Sequence, residues 1–431
     1  MSDRFYEQDF EETFMDALSN LQFVTDYAPN ISEGTLLEER KNDQVYFLGR
    51  LRNRLYSLNP NIPGEAIEDA LRKIVRNDSQ DLIANNRSFH RMLFNGVDVE
   101  FKRKDGRIRG EKVWLIDFEN PENNEFLALN QFTVKKDKRD NLPDRRPDIV
   151  IFVNGLPLVV VELKNPTDEK ATILSAYKQI QTYKNEIPSL FRFNEVIVIS
   201  DGILAKAGTI SSLYERFMPW KTVKFNSPQK NIPQYETLIE GMLNKRTLLD
   251  LIRHYVVYEE EKDTVNNITR TVKKLAAYHQ YNAVEKAIKT TVSAKGESRK
   301  AGIVWHTQGS GKSLTMVFYA SKLALEKELE NPTIVVLTDR NDLDGQLFAT
   351  FTRCQELLRQ EPKQADSRKD IQSLLKVASG GIIFTTIQKF LPEENKQEFP
   401  LLSERDNIIV IADEAHRSQY GFSLISTRRF S

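Results

Sequence analysis

Asp148, Glu162 and Lys164 are the residues from which a reaction can be built. They lie in RPDIVIFVNGLPLVVVELKNP, where Ile149 to Val153 and Leu156 to Leu163 are apolar runs on either side of Asn154-Gly155. That dipeptide readily takes the positive φ values of a two-residue hairpin turn. Folding there returns Asp148, at the mouth of the first strand, to Glu162 and Lys164 near the end of the second. Glu162 and Lys164 are two residues apart and so share a face. Two carboxylates and an ammonium on rigid strands make an oxygen site for Mg²⁺ with a cation beside it. Such a site can cut a phosphodiester: the metal activates a water and the lysine stabilises the charge that develops. The plainer description is a buried hairpin with a charged end, and charged pairs at strand ends are common. Against it, a carboxylate at the rim of a core is costly without a partner or a metal.

A second constellation lies at HTQGSGKS, His306 to Ser313. The apolar run Gly302 to Trp305 before it is expected to be a short strand, and Leu314 to Glu328 after it a helix. This reads as a phosphate-binding loop. Thr307, Gly309, Ser310 and Gly311 supply a backbone that closes around phosphate oxygens. Lys312 reaches the β/γ-phosphates, the Ser313 hydroxyl binds Mg²⁺, and the helix N-terminus adds favourable field. His306 stands where the strict pattern has its first glycine. Downstream, the apolar run NIIVIA, Asn407 to Ala412, ends in Asp413-Glu414-Ala415-His416. Such a strand delivers its acids to the carboxyl edge of a parallel sheet, where nucleotide sits. Asp413 is then expected to hold Mg²⁺ and Glu414 to orient the attacking water, with His416 close behind. The implied cofactors are ATP and Mg²⁺.

The chain has 431 residues, enough for two or three domains with ample core. Lys+Arg 61 balances Asp+Glu 61, so net charge argues neither for nor against nucleic acid, and any DNA surface must come from local segregation of charge. A single cysteine, Cys354, excludes an internal disulfide and a cysteine-based zinc cluster. No apolar stretch is long enough to span a bilayer, and MSDRFYEQDFEE lacks a signal-peptide core. A soluble, cytoplasmic protein is expected.

Several elements must position these residues. Phe10, Phe14, Ala17, Leu18 and Leu21 recur at helical spacing over Asp3 to Leu21, carrying Glu7, Glu11 and Glu12 along. These acids are either a solvated face or the source of one further site carboxylate, with Glu11 the best placed. Pro63 to Val75 is a helix. Asn86 to Phe101 is a helix or turn passing into a strand, within which His90 suits a structural role. Lys102 to Lys112 is a basic hairpin-like segment followed by a strand over Val113 to Phe118. KKDKRDNLPDRR, Lys135 to Arg146, is basic and leads straight into the candidate site, where it would hold phosphate backbone without reading sequence. Ala171 to Asn185 is a helix whose Gln179 and Tyr183 are four apart and share a face. Glu195 to Ser200 is a buried strand and Tyr235 to Tyr258 is helical. Glu259 to Thr271 is charged and poor in large apolar residues, which places a boundary there: residues 1–258 for the first domain and 259–431 for the second. Leu275 to Ala287 is a helix, and Thr333 to Thr338 and Gly381 to Thr386 are further strands of the second sheet.

With these motifs in place the chain resembles the R (restriction, motor) subunit of type I restriction-modification enzymes. The resemblance implies an α/β chain: a PD-(D/E)xK nuclease, a mixed sheet flanked by helices, then one RecA-like parallel lobe of a superfamily 2 translocase. Asp148, Glu162 and Lys164 match the nuclease core, and Gln179 and Tyr183 match its QxxxY element. Gln280, in YHQYNAV, matches the glutamine that reads adenine ahead of the phosphate loop. HTQGSGKS matches helicase motif I and DEAHRSQYG matches motif II, while LTDRNDLDGQL and FTTIQKF match the DNA-contacting segments between them. The family implies double-stranded DNA as substrate, methyltransferase and specificity subunits as partners, and cleavage coupled to ATP-driven translocation. Family members continue into a second lobe, so this chain alone is expected to bind ATP weakly and not to translocate. Another nuclease-helicase fusion of repair or phage defence, or an idle remnant that only binds DNA or a partner, are the alternatives.

Overall fold

The computed structural model describes residues 7–102, 106–135, 144–165, 172–223, 232–263, 268–295, 299–338, 341–377, 379–386, 389 and 403–413. They form two compact units, Met1–Tyr278 and His279–Ser431.

The first unit runs α1 (Glu7–Asn20), β1 (Val24–Tyr27), α2 (Leu48–Leu58), α3 (Gly64–Val75), α4 (Leu82–Asn95), β2 (Val97–Lys102), β3 (Ile108–Val113), β4 (Phe126–Asn130), β5 (Ile149–Val153), β6 (Leu156–Leu163), α5 (Ile173–Glu186), α6 (Pro188–Phe191), β7 (Val196–Ser200), β8 (Ala205–Gly208), α7 (Gln234–Met242), α8 (Lys245–His254), β9 (Val256–Asp263) and β10 (Ile268–Leu275). Its centre is a six-stranded sheet in the order β1-β4-β5-β6-β7-β8. β1 runs parallel to β4 and β6 parallel to β7, and the other neighbours are antiparallel, so the sheet is mixed as expected. Every residue of β5, β6 and β7 is buried, which is why these strands read as unbroken apolar runs rather than alternating ones. The helical stripe of α1 buries Phe10, Phe14 and Leu18, packing against β4 and β6. α5 packs on β6 and β7.

The turn between β5 and β6 has Asn154 at φ 53° and Gly155 at φ 81°, with Val153 paired to Leu156. Gly155 answers two demands. Its carbonyl accepts from Phe47 N–H at the start of α2 (2.9 Å), and a Cβ there would lie 2.7 Å from the Phe47 carbonyl oxygen. Gly155→Ala is therefore expected to cost roughly 2 kcal/mol or more, combining left-handed strain with a backbone clash, readable as a lower urea midpoint at unchanged slope. Asn154 is fully buried and works as a peg: its amide donates to Leu115 O (2.8 Å) and to Asn124 Oδ1 (2.9 Å), and its oxygen accepts from Glu125 N–H (2.8 Å).

Three sequence expectations are corrected in this unit. The segment after Val113 is not a strand. Asn59 takes up both the N–H and the carbonyl of Trp114 (2.8 and 2.9 Å), and Asn154 takes the Leu115 carbonyl, so side chains replace a strand neighbour. The single helix expected over Tyr235 to Tyr258 is two, because Asn244 caps a new one by accepting from Thr247 N–H (3.0 Å). The charged stretch after Tyr258 is no linker. β9 and β10 form an antiparallel hairpin within the first unit, and the two units divide at Tyr278/His279, later than 258. Charge on this hairpin pairs across strands and with neighbours: Lys274 meets Glu259 at 2.7 Å and Glu261 at 2.6 Å. Lys273 is fully buried, with Nζ on Glu195 Oε2 (2.7 Å), Asn194 O (2.9 Å) and Asn86 Oδ1 (3.1 Å). His90 Nδ1 lies 2.9 Å from the same Glu195 oxygen, a structural role.

The second unit comprises α9 (Tyr278–Ala294, its first residue closing the first unit), α10 (Lys312–Leu325), β11 (Thr333–Thr338), α11 (Asn341–Arg353), α12 (Gln355–Leu358), β12 (Lys363–Gln364), α13 (Arg368–Leu375), β13 (Ile382–Thr386) and β14 (Ile408–Ala412). Its sheet is wholly parallel in the order β12-β13-β11-β14. Val335, Leu337, Ala365, Ile371, Leu375 and Ile383 form a core cluster on it. The strand expected at Gly302 to Trp305 is absent: Ile303 is 81% and Trp305 89% exposed. The apolar run is real, but among the described residues no strand pairs with it. Cys354 is buried and forms no disulfide. Among the described residues no helix is long and apolar enough to cross a membrane.

Candidate functional site

The site begins with a count of residues. From the turn, Val153 pairs with Leu156 and Phe152 with Pro157, but then the register shifts and Ile151, Val150 and Ile149 pair with Val159, Val160 and Val161. One residue, Leu158, is extra. Its carbonyl is taken by Glu195 N–H (2.7 Å), so the bulge leaves that group satisfied. Extending the shifted register one step sets Asp148 opposite Glu162, on the same face. An unbulged hairpin would set it opposite Val161. Pro157 is the sequence signal for the bulge, because a central strand tolerates proline only where the ladder is interrupted.

Asp148 and Glu162 are both buried. Asp148 Oδ2 accepts the Leu163 N–H at 2.6 Å. Lys164 Nζ donates to Glu162 Oε1 and to Leu163 O, both at 2.8 Å. Burial pushes the Asp148 carboxyl well above its usual range, the Glu162 charge adds to this and Glu11 contributes further, while the Leu163 N–H and Lys164 oppose it. The hairpin, α1 and their acids therefore converge. α5 brings Tyr183 against the same place: its hydroxyl donates to Arg146 O (3.2 Å), and burial, then the charge of Glu162, push the phenol far upward. Gln179, one turn before Tyr183 on α5, opposes that upward push on the phenol. Glu11 is held by Gln131, whose amide nitrogen reaches both carboxylate oxygens (2.7 and 2.6 Å). Of the acids of α1, Glu11 is buried and Glu12 exposed.

The donor set fits Mg²⁺. It offers hard carboxylate oxygens, and a divalent cation relieves the crowding of negative charge that raises Asp148. Among the described residues no three acidic, histidine or cysteine side chains are arranged as a complete metal cage. Mg²⁺ does not need one: it keeps several waters and is usually held by one or two carboxylates with substrate phosphate.

In the second unit the loop before α10 has Gly309 at φ 80° and Gly311 at φ 83°. Ser310 folds back on Thr307 O through N–H (3.3 Å) and Oγ (2.7 Å). Gln280 on α9 donates to Gly311 O (3.1 Å), and His279 Nε2 lies 3.0 Å from Ser310 O. A Cβ on Gly311 would sit 2.7 Å from the movable Gln280 amide nitrogen, so it is the positive φ that favours glycine here. Lys312 and Ser313 open the first turn of α10, a helix N-terminus whose field favours an anion. β14 delivers Asp413 to the carboxyl edge of the sheet, its N–H bonded to Leu337 O (2.9 Å). Glu414, His416, Asp339, Arg340, Gln388 and most of the basic Lys135 to Arg146 stretch lie outside the described residues.

Sequence reasoning did not find Gln131, the Leu163 N–H or the Leu158 bulge. Only the last had a signal, Pro157. The other two depend on partners distant in sequence.

A mixed-sheet nuclease module followed by a parallel-sheet nucleotide module defines the class, and comparison with known proteins agrees. Residues 4–216 match the type I restriction enzyme R protein N terminus, and residues 279–429 match the SWI2/SNF2 ATPase family. The type I restriction enzyme HindI endonuclease subunit of Haemophilus influenzae is 43% identical over 425 residues, covering 97% of this chain and 39% of the relative. A Methanocaldococcus jannaschii protein, provisionally named as the type I restriction enzyme MjaIXP endonuclease subunit, is 35% identical over 412 residues, covering 90% of this chain and 38% of its own length. The chain belongs to the type I restriction enzyme R-subunit family and spans about two-fifths of the length of these relatives.

Proposed function

We propose that this chain carries the Mg²⁺-dependent DNA-cleaving site and an ATP-binding lobe of a type I restriction enzyme. The observation that carries the reading is the bulged hairpin, with Asp148 opposite Glu162 and Lys164 on the Glu162 carboxylate. A bound Mg²⁺ supplies a Lewis acid and an activated water. Asp148 and Glu162 would hold it, with Leu163 N–H fixing the orientation of Asp148. Lys164 swings from Glu162 to the phosphate as charge builds on its oxygens. Tyr183 and Gln179 brace α5 beside the acids and meet the DNA backbone. The substrate is unmodified double-stranded DNA, held through its phosphates. The partners are the methyltransferase and specificity subunits, which read the target sequence, and the setting is the cytoplasm. In the whole enzyme, ATP-driven translocation brings DNA to this site.

The test is conversion of supercoiled plasmid to nicked circles by the purified chain, alone and with its methyltransferase-specificity partner. Nicking should require Mg²⁺ and Asp148. Persistence in Asp148→Ala sinks the assignment. For the nucleotide lobe, Lys312→Ala should weaken ATP binding about 10- to 100-fold, the value of a charge-assisted phosphate contact, with an unchanged circular dichroism spectrum. Equal affinities by calorimetry would remove Lys312 from the phosphate site.

A further inference from the structure

We infer that Gln131, between β4 and the hairpin, positions Glu11 and thereby sets how tightly the Asp148 site holds a divalent cation. The inference rests on the nuclease reading above. Gln131 belongs to no helix or strand, and its backbone is left-handed, at φ 56°. Residues with a Cβ rarely adopt that conformation, and when one does the fold is holding it there. Both halves of Gln131 are engaged at the site. Its main-chain N–H donates to the carbonyl of Asp148 (2.9 Å), and its side-chain amide spans both oxygens of Glu11. A carboxylate only accepts, so it is the amide nitrogen that must face it.

The next residues are clamped from another direction. The Arg40 guanidinium lies 3.9 Å over the Phe132 ring and donates to Thr133 O (2.6 Å). Phe132 is itself fully buried against Phe47 and Phe152. Gln131 thus ties α1 to the mouth of β5, and it ties a third acid to the neighbourhood of Asp148. Glycine would satisfy the backbone without strain but would have no amide. The presence of glutamine in a glycine conformation is what points to the side chain.

The experiment measures metal binding by the full chain directly. Mn²⁺ is titrated in the absence of nucleotide, and free Mn²⁺ is read by electron paramagnetic resonance. The parent should show a site that Asp148→Ala removes. Gln131→Ala and Gln131→Gly should each weaken that site about 10- to 100-fold, the usual cost of losing a group that orients a ligand. Gln131→Gly should at the same time melt no lower than the parent, because it relieves the left-handed strain. A merely structural glutamine would give the reverse: a lower melting temperature with Mn²⁺ affinity within about twofold of the parent. That result overturns the inference while leaving the nuclease site standing. If Asp148→Ala itself leaves Mn²⁺ binding unchanged, the nuclease reading falls first. Should Gln131→Ala fail to fold, the glycine variant alone decides.

Discussion

Asp148→Asn should abolish Mg²⁺-dependent nicking, by about 100-fold or more, and yet make the metal-free protein more stable. The two effects have one cause. Asp148 is buried beside Glu162 and near Glu11, so its negative charge is held at a cost that only a cation offsets. Its native pKa lies above the unfolded value near 3.9. The group therefore favours the folded state below that unfolded value, and this contribution is lost as pH rises through the native pKa. Above its native pKa the ionised aspartate is a net burden, which asparagine lifts by on the order of 1 kcal/mol. Mg²⁺ should raise the melting temperature of the parent and leave the variant unmoved. Lys164→Ala should differ in kind, with cleavage falling about 100- to 1000-fold while metal binding persists, since the lysine acts on developing charge. If Asp148→Asn melts lower than the parent without metal, the crowding of acids has been misjudged.

The second large effect lies away from the chemistry. Lys273→Met should destabilise the first unit by about 3–5 kcal/mol, the cost of stranding a buried charge, out of a total of about 5–15 kcal/mol. Burial alone would raise the Glu195 pKa, but His90 and Lys273 beside it more than reverse this and hold it below the usual carboxylate range. The lysine, fully buried, is pushed downward by that burial despite the Glu195 charge beside it. The carboxylate thus contributes stability that is full above about pH 4.3 and lost as pH falls through its lower native value. Removing Lys273 should therefore also move acid unfolding to higher pH. Adding Glu195→Gln to Lys273→Met should recover part of the loss, and a double-mutant cycle would give the coupling. A urea midpoint for Lys273→Met equal to the parent's would show that the hairpin of β9 and β10 is not anchored by this pair.

Much of this arrangement was legible in the chain because the signals are local. Asn154-Gly155 announces its turn, the apolar runs announce doubly covered strands, and GSGKS announces a loop ahead of α10. What escaped was governed by distant partners. The stretch after Val113 looks like a strand until Asn59 and Asn154 claim its backbone. Glu259 to Glu261 carry no local sign of a strand until Lys274 arrives from the facing one. Lys273 defeats any composition rule, since lysine is almost never fully buried unless it is paired. Gln131 is invisible for the same reason: neither its φ nor its hold on Glu11 has a local signature. At Ile303 and Trp305 the apolar signal was read correctly, but the described sheet supplies no neighbour for it.

The spare residue at Leu158 makes the hairpin sensitive to parity. Between the turn and the acid, inserting a single codon would preserve apolar character, length class and outward resemblance, while carrying Glu162 one place past Asp148 and onto the other face of the sheet; removing one would close the bulge and leave the two acids opposite. Across homologous chains, a one-residue insertion within Leu156 to Val161 should therefore separate working nucleases from inert lookalikes more sharply than most substitutions there, and ordinary sequence identity would not register the change.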